Sequence, residues 1–163
     1  MPKVFLLCCL SLYAALAAPH SALADCSTRI MAGDHALFMQ WSNAETTGTI
    51  FAKAEIKANG RIVLRGAKVN YFETTNPYAI FKRDGYGEGS IGLAPLCTGV
   101  VSLTITDRAT YTEAIDLEAR IMASGSASEP FVKGVASVTV FNASVVPVYR
   151  NIFADLELRK IRM

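Results

Sequence analysis

Thr49-Ile50-Phe51-Ala52-Lys53-Ala54-Glu55-Ile56-Lys57-Ala58-Asn59-Gly60-Arg61-Ile62-Val63-Leu64-Arg65 is the stretch whose reading decides the fold class. Apolar Ile50, Ala52, Ala54, Ile56 and Ala58 alternate with Thr49, Phe51, Lys53, Glu55, Lys57 and Asn59. Period-two alternation belongs to a strand with one buried face, and only Phe51 breaks the polar side. Asn59-Gly60 then marks a tight turn into a second run, Arg61–Phe72.

Hydrophobic matching selects the register. A two-residue loop sets Ala54 opposite Arg65 and mixes the faces. A three-residue loop, Ala58-Asn59-Gly60, pairs Ile56 with Ile62 and Ala54 with Leu64 and leaves Lys53 and Arg65 on the other side. A one-residue slip turns every side chain over, so the three-residue loop is expected, with Gly60 in a left-handed conformation. Apolar parity changes after Gly66, which predicts a bulge there.

Working outward, Val100–Thr106, Thr110–Met122, Val132–Phe141 and Asn151–Arg159 carry the same alternation. Val145–Tyr149 reads as extended, with Pro147 favouring an edge or a bend. Asp34–Ser42 fits a strand or a short helix capped by Asp34, and Tyr78–Arg83 fits a short strand. Turn-forming residues separate these runs at Thr74–Pro77, Asp84–Gly92 and Ser124–Pro130. The expectation is an all-β fold: an antiparallel β-sandwich or small β-barrel of about seven or eight strands.

The first residues set the compartment. Lys3, the apolar run Val4–Ala18 and the small-residue site Ala22-Leu23-Ala24 have the three parts of a cleaved signal peptide. Residues 1–24 are therefore read as a leader and 25–163 as one β-rich domain, secreted or periplasmic. No second long apolar run follows, so the mature domain is expected to be soluble and not membrane-spanning. An outer-membrane barrel is disfavoured by the charged end Arg159-Lys160-Ile161-Arg162. Removing Lys3 takes the formal charge from +2 to +1, and the basic residues are scattered, which argues against nucleic acid as a partner.

Processing also removes Cys8 and Cys9. The remaining Cys26 and Cys97 are expected to form a disulfide in an oxidising compartment. With His35 as the one mature histidine and no Cys-x-x-Cys, neither a metal site nor a cofactor is expected.

No catalytic residue is assigned. Asp116 with Glu118, and Asp155 with Glu157, each project two carboxylates on one strand face, roughly 6.5–7 Å apart, a spacing that acid–base hydrolysis allows. Each pair is followed by an arginine at the same parity, as on a solvated face. A triad would have to use His35, and no G-x-S-x-G elbow is present. Gly85-Tyr86-Gly87-Glu88-Gly89 lacks the spacing of a phosphate loop and is expected to be a mobile loop between strands.

A binding site is expected on Tyr78, Phe81, Lys82, Arg83 and Tyr86, where aromatic and basic side chains run into the glycine-rich stretch. The leading functional expectation is an exported, non-catalytic binding domain for an apolar or lipid ligand or a partner protein. Inward-facing Ala52, Ala54, Ala58, Ala119, Ala136 and Ala154 either leave room for such a ligand or mark closely packed sheets. A structural or adhesin-type subunit joined by edge-strand addition is the alternative, and a carboxylate-dependent hydrolase the third. Asn142-Ala143-Ser144 is a formal glycosylation sequon.

Overall fold

The structure is a computed structural model that describes residues 26–126 and 129–161. The expected leader, residues 1–24, lies outside the described residues. Eight strands form one closed antiparallel barrel in which each strand pairs with its neighbours in sequence. They are β1 (Gly33–Ser42), β2 (Thr46–Ile56), β3 (Arg61–Glu73), β4 (Asn76–Leu93), β5 (Thr98–Asp107), β6 (Glu113–Ser126), β7 (Glu129–Phe141) and β8 (Pro147–Lys160). The first and last strands close the wall, from His35 opposite Lys160 to Trp41 opposite Ala154. The expected all-β fold is thus a barrel rather than a sandwich, and Asp34–Ser42 is strand, not helix.

The β2–β3 hairpin has the register that hydrophobic matching selects. Ile56 pairs with Ile62, Ala54 with Leu64 and Lys53 with Arg65. The Gly60 N–H donates to the Lys57 carbonyl at 2.9 Å, and Gly60 adopts φ +85°, the left-handed region that a side chain disfavours. The bulge is at Arg65-Gly66: Leu64 pairs with Gly87 and Ala67 with Gly85, so two residues of β3 face Tyr86 alone. Ala58, expected on the inner face, is exposed in the turn.

Three sequence expectations are corrected. Gly85–Gly89 is not a loop but the middle of the 18-residue β4, which also absorbs Tyr78–Arg83. Its Gly85, Gly87 and Gly89 alternate inward opposite Asp107, Ile105 and Leu103 of β5. What resembled turn chemistry is therefore close strand approach, for which a missing Cβ is needed. Val145–Tyr149 and Asn151–Arg159 are not two strands, because β8 runs from Pro147 to Lys160 with Asn151 at φ +53° inside it. The Ser124–Pro130 joint is mostly strand as well, with Gly125 paired to Pro130 and Ser126 to Glu129.

The interior is filled. Leu37, Met39, Ile50, Ile62, Leu64, Leu103, Ile105 and Leu156 are among its largest fully buried side chains, each stabilising the fold by about 1.5–3 kcal/mol through removal of apolar surface from water. The small residues have a packing reason. Ala119, Ala136 and Ala154 stand side by side across β6, β7 and β8, and Trp41 and Gly48 complete the row. The indole leans over Gly48, where its ring occupies the place of a Cβ. Small neighbours admit the one large ring, as layers of a small barrel require.

Both ends are covered. At one, the 3₁₀ turn Thr28–Met31 inserts Met31, which is fully buried, and the Cys26–Cys97 disulfide ties this turn to the β4–β5 connection with the two Cα atoms 4.9 Å apart. At the other, Tyr71 stacks on Phe81 with ring centres 5.0 Å apart and meets Tyr149 edge-on at 6.3 Å. The Tyr149 hydroxyl donates to Glu73 Oε1 at 3.0 Å. Burial, then this bond to a carboxylate, pushes the phenol up to about 12.

Charged side chains populate the outer wall, among them Lys53, Glu55, Arg65, Lys68, Asp84, Glu118, Arg120, Lys133 and Asp155. An apolar inside with a charged outside is the reverse of a barrel that faces lipid. No helix among the described residues is long and apolar enough to cross a membrane.

Candidate binding surface

Strand alternation divides the five residues expected to bind. Phe81 and Arg83 point toward the barrel mouth, where Phe81 stacks on Tyr71 and Arg83 Nε lies 3.7 Å from Asp107 Oδ2. Both side chains of that ion pair are mostly buried. Tyr78, Phe81, Lys82 and Tyr86 are exposed. Lys82 lies on the outer face beside Asn70 and near the Lys68–Asp84 pair. Tyr86 lines a separate recess with Arg65 and Arg108. The five do not form one cluster.

The carboxylate pairs lie on the outer wall. Asp116 accepts from the Thr104 hydroxyl at 3.3 Å, and Glu118 faces Ser102 and Ser137. Glu157 pairs with Arg159. Asp116, Glu118 and Asp155 are exposed and none is enclosed against apolar walls, the condition that sets two carboxyls apart as acid and base.

His35 is fully buried at the plugged end of the barrel. Its Nδ1–H donates to the Gly33 carbonyl at 3.2 Å, and Nε2 is buried without a hydrogen-bond partner among the described residues. Burial lowers its pKa from 6.5; the Gly33 bond opposes this, Lys160 adds to it and Asp34 opposes it. A histidine with a depressed folded pKa contributes stability that is present above the unfolded pKa and lost as pH falls below it, because the unfolded chain then binds more protons. The melting temperature is therefore expected to fall as pH drops from about 7 to about 5. Thermal melts of His35→Leu should show a flatter profile over that window; an equally steep one would assign the acid sensitivity elsewhere.

A larger concave surface was not anticipated. A groove of ≈ 940 Å³ crosses the outer wall from β5 to β1. Two adjacent rows of outward side chains form it. Met122, Lys133, Glu157 and Phe38 follow one another across β6, β7, β8 and β1, and Val100, Arg120, Val135, Asp155 and Gln40 form the row beside them. Met122 is 61% and Val135 55% exposed, and Phe153 in the next row is 74% exposed. Phe38 packs on Phe51 with ring centres 4.7 Å apart. The result is an apolar strip flanked by charges of both signs.

The sequence carried a signal for this groove. Val135, Phe153 and Met122 are apolar residues at polar parity in runs otherwise read as half-wet strands. Each alone is an ordinary exposed hydrophobe, and only the lateral register shows that Met122 and Val135 sit in neighbouring rows. No family model, curated protein or solved structure matches this chain.

Proposed function

We propose that the protein is an exported binding domain that holds a partner protein on its outer wall, in the groove across β5, β6, β7, β8 and β1. The observation that carries this is the exposure of Met122 and Val135 in adjacent rows among Arg120, Lys133, Asp155 and Glu157. An apolar centre with a polar rim is the usual anatomy of a protein interface. The filled interior and the covered ends disfavour an apolar ligand held inside the barrel. The disulfide supports an oxidising compartment, secreted or periplasmic, and the reading of residues 1–24 as a leader is in keeping with it.

Native mass spectrometry of the protein isolated from its host's exported fraction is the test. The expected spectrum contains a complex with a second polypeptide, lost in Val135→Lys while the melting temperature stays unchanged, since a surface substitution typically shifts stability by no more than about 0.5 kcal/mol. The bare chain alone, or a complex indifferent to Val135→Lys, overturns the assignment. A bound species of small-molecule mass would favour the apolar-ligand reading.

A second reading, assembly by strand addition, is favoured by one feature of β4. Its pairing with β5 begins at Gly85, so Ile80 and Lys82 are bonded to β3 and have no strand on their other side among the described residues. The barrel is closed below this point, and the projecting hairpin keeps a short open edge. Lys82 sits within it, a charge of the kind that guards edges against unwanted pairing. Oligomers that grow with concentration and vanish in Ile80→Pro would support this reading over the groove.

A further inference from the structure

We propose that the recess around Tyr86, on the wall formed by β3, β4 and β5, binds an acidic saccharide, a sugar bearing a carboxylate or sulfate. It stands apart from the groove described above and does not depend on that reading.

The recess follows from the backbone. Gly85, Gly87 and Gly89 place no side chain on the inner face of β4, and Leu64 Cδ1 comes within 3.3 Å of where a Gly87 Cβ would stand. Residues of β3, β4 and β5 around this glycine-bearing stretch line a recess of ≈ 800 Å³. Tyr86, on that face, is opposite the two bulged residues Arg65 and Gly66. Bulges re-aim side chains, and here one brings Arg65 to the same recess as the tyrosine. Gly66 adds no side chain, and nothing lies within 4 Å of its Cβ position.

The chemistry of the walls selects the ligand class. Tyr86 is 42% exposed, enough to offer a ring surface against which the C–H face of a sugar packs. Thr104 and Thr106 bring hydroxyls to the lining, and Glu88, which pairs with Arg61 at 2.8 Å, brings an acceptor. Arg65 is shared with Glu55 at 3.1 Å. Arg108 is different: its backbone N–H donates to the Asp84 carbonyl at 2.8 Å, and its guanidinium makes no ion pair among the described residues. A planar cation with a free fork suits a carboxylate or sulfate, and its pairing with a ring and hydroxyls suits a saccharide that carries one. The volume lies in the range of sites for compact organic ligands.

Isothermal titration calorimetry of the full chain with tetragalacturonate, a heparin-derived tetrasaccharide and neutral maltotetraose tests this. At least one acidic tetrasaccharide is expected to bind at least about tenfold more tightly than maltotetraose, a difference of about 1.4 kcal/mol. Tyr86→Ala and Arg108→Gln are each expected to weaken it by about tenfold or more. Tyr86→Phe, which keeps the ring, and Arg29→Gln, at the plugged end, should leave it intact, with thermal melts confirming that every variant is folded. Absence of binding by both acidic sugars, equal binding of maltotetraose, or indifference to Tyr86→Ala and Arg108→Gln overturns the assignment. Binding confined to phosphatidylglycerol vesicles overturns it in favour of a membrane surface.

Discussion

Cys97→Ser, or reduction of the wild-type disulfide, is expected to lower stability by about 4 kcal/mol, seen as a melting temperature about 10–15 °C lower for a chain of this size. The magnitude comes from the separation of 71 residues between the two cysteines, because the crosslink removes more conformational freedom from the unfolded chain as the closed loop lengthens. A second contribution acts in the folded state. The bridge fastens the Thr28–Met31 turn over one end of the barrel, where Met31 is fully buried. Without it that turn loses its covalent tie, and opening would admit water to the end of the core that holds His35. Differential scanning calorimetry with and without reductant measures the effect directly. A fall of less than about 1 kcal/mol would mean that the turn stays docked and that the unfolded chain is already restrained without the bridge.

Gly87→Ala is expected to cost about 2 kcal/mol and Gly87→Val about 3 kcal/mol or more, against a stabilisation of up to about 1 kcal/mol for Gly92→Ala in the same strand. Gly87 pairs with Leu64 on one side and Ile105 on the other, both fully buried. An added Cβ would run into the Thr104 carbonyl oxygen, with Leu64 close behind. At Gly92 an added Cβ meets nothing within 4 Å and the backbone is not in the left-handed region, so the substitution acts mainly by restricting the unfolded chain. Guanidinium unfolding midpoints give the comparison. A Gly87→Ala variant as stable as the parent would mean that this part of β4 behaves as the loop its composition suggests. An added inward side chain at Gly87 should also push β4 out of place beside Tyr86, so saccharide binding and stability would fall together in Gly87→Val.

The glycine-rich segment shows where local reading failed. Glycine at every second position of residues 85–89 satisfies two physical needs that look alike in sequence: backbone freedom in a loop, and absence of a Cβ where two strands approach. Local residues cannot distinguish them, because the atoms that would collide belong to Thr104 and Leu103, far along the chain. The five residues expected to bind were divided for a related reason. Tyr78–Tyr86 is contiguous in sequence, but a strand sends alternate side chains to opposite faces. Phe81 and Arg83 were thereby committed to the mouth, and Tyr86 was placed beside Arg65 by a bulge in another strand.

What the amino-acid order determined by itself is the local geometry: period-two strands, the three-residue turn with Gly60 left-handed, the bulge near Gly66 and the pairing of Cys26 with Cys97. Each rests on interactions between residues close in sequence or on the parity of a single hairpin, and for the cysteines on their being the two that lie outside the stretch read as a leader. The tertiary structure decided that the sheet closes, because closure depends on β1 meeting β8 across the whole chain. It also decided that the alanines receive Trp41 and that Met122 and Val135 share a groove with Phe38. Those outcomes depend on lateral register between distant strands, and no local stretch encodes which side chains will stand next to one another around a barrel.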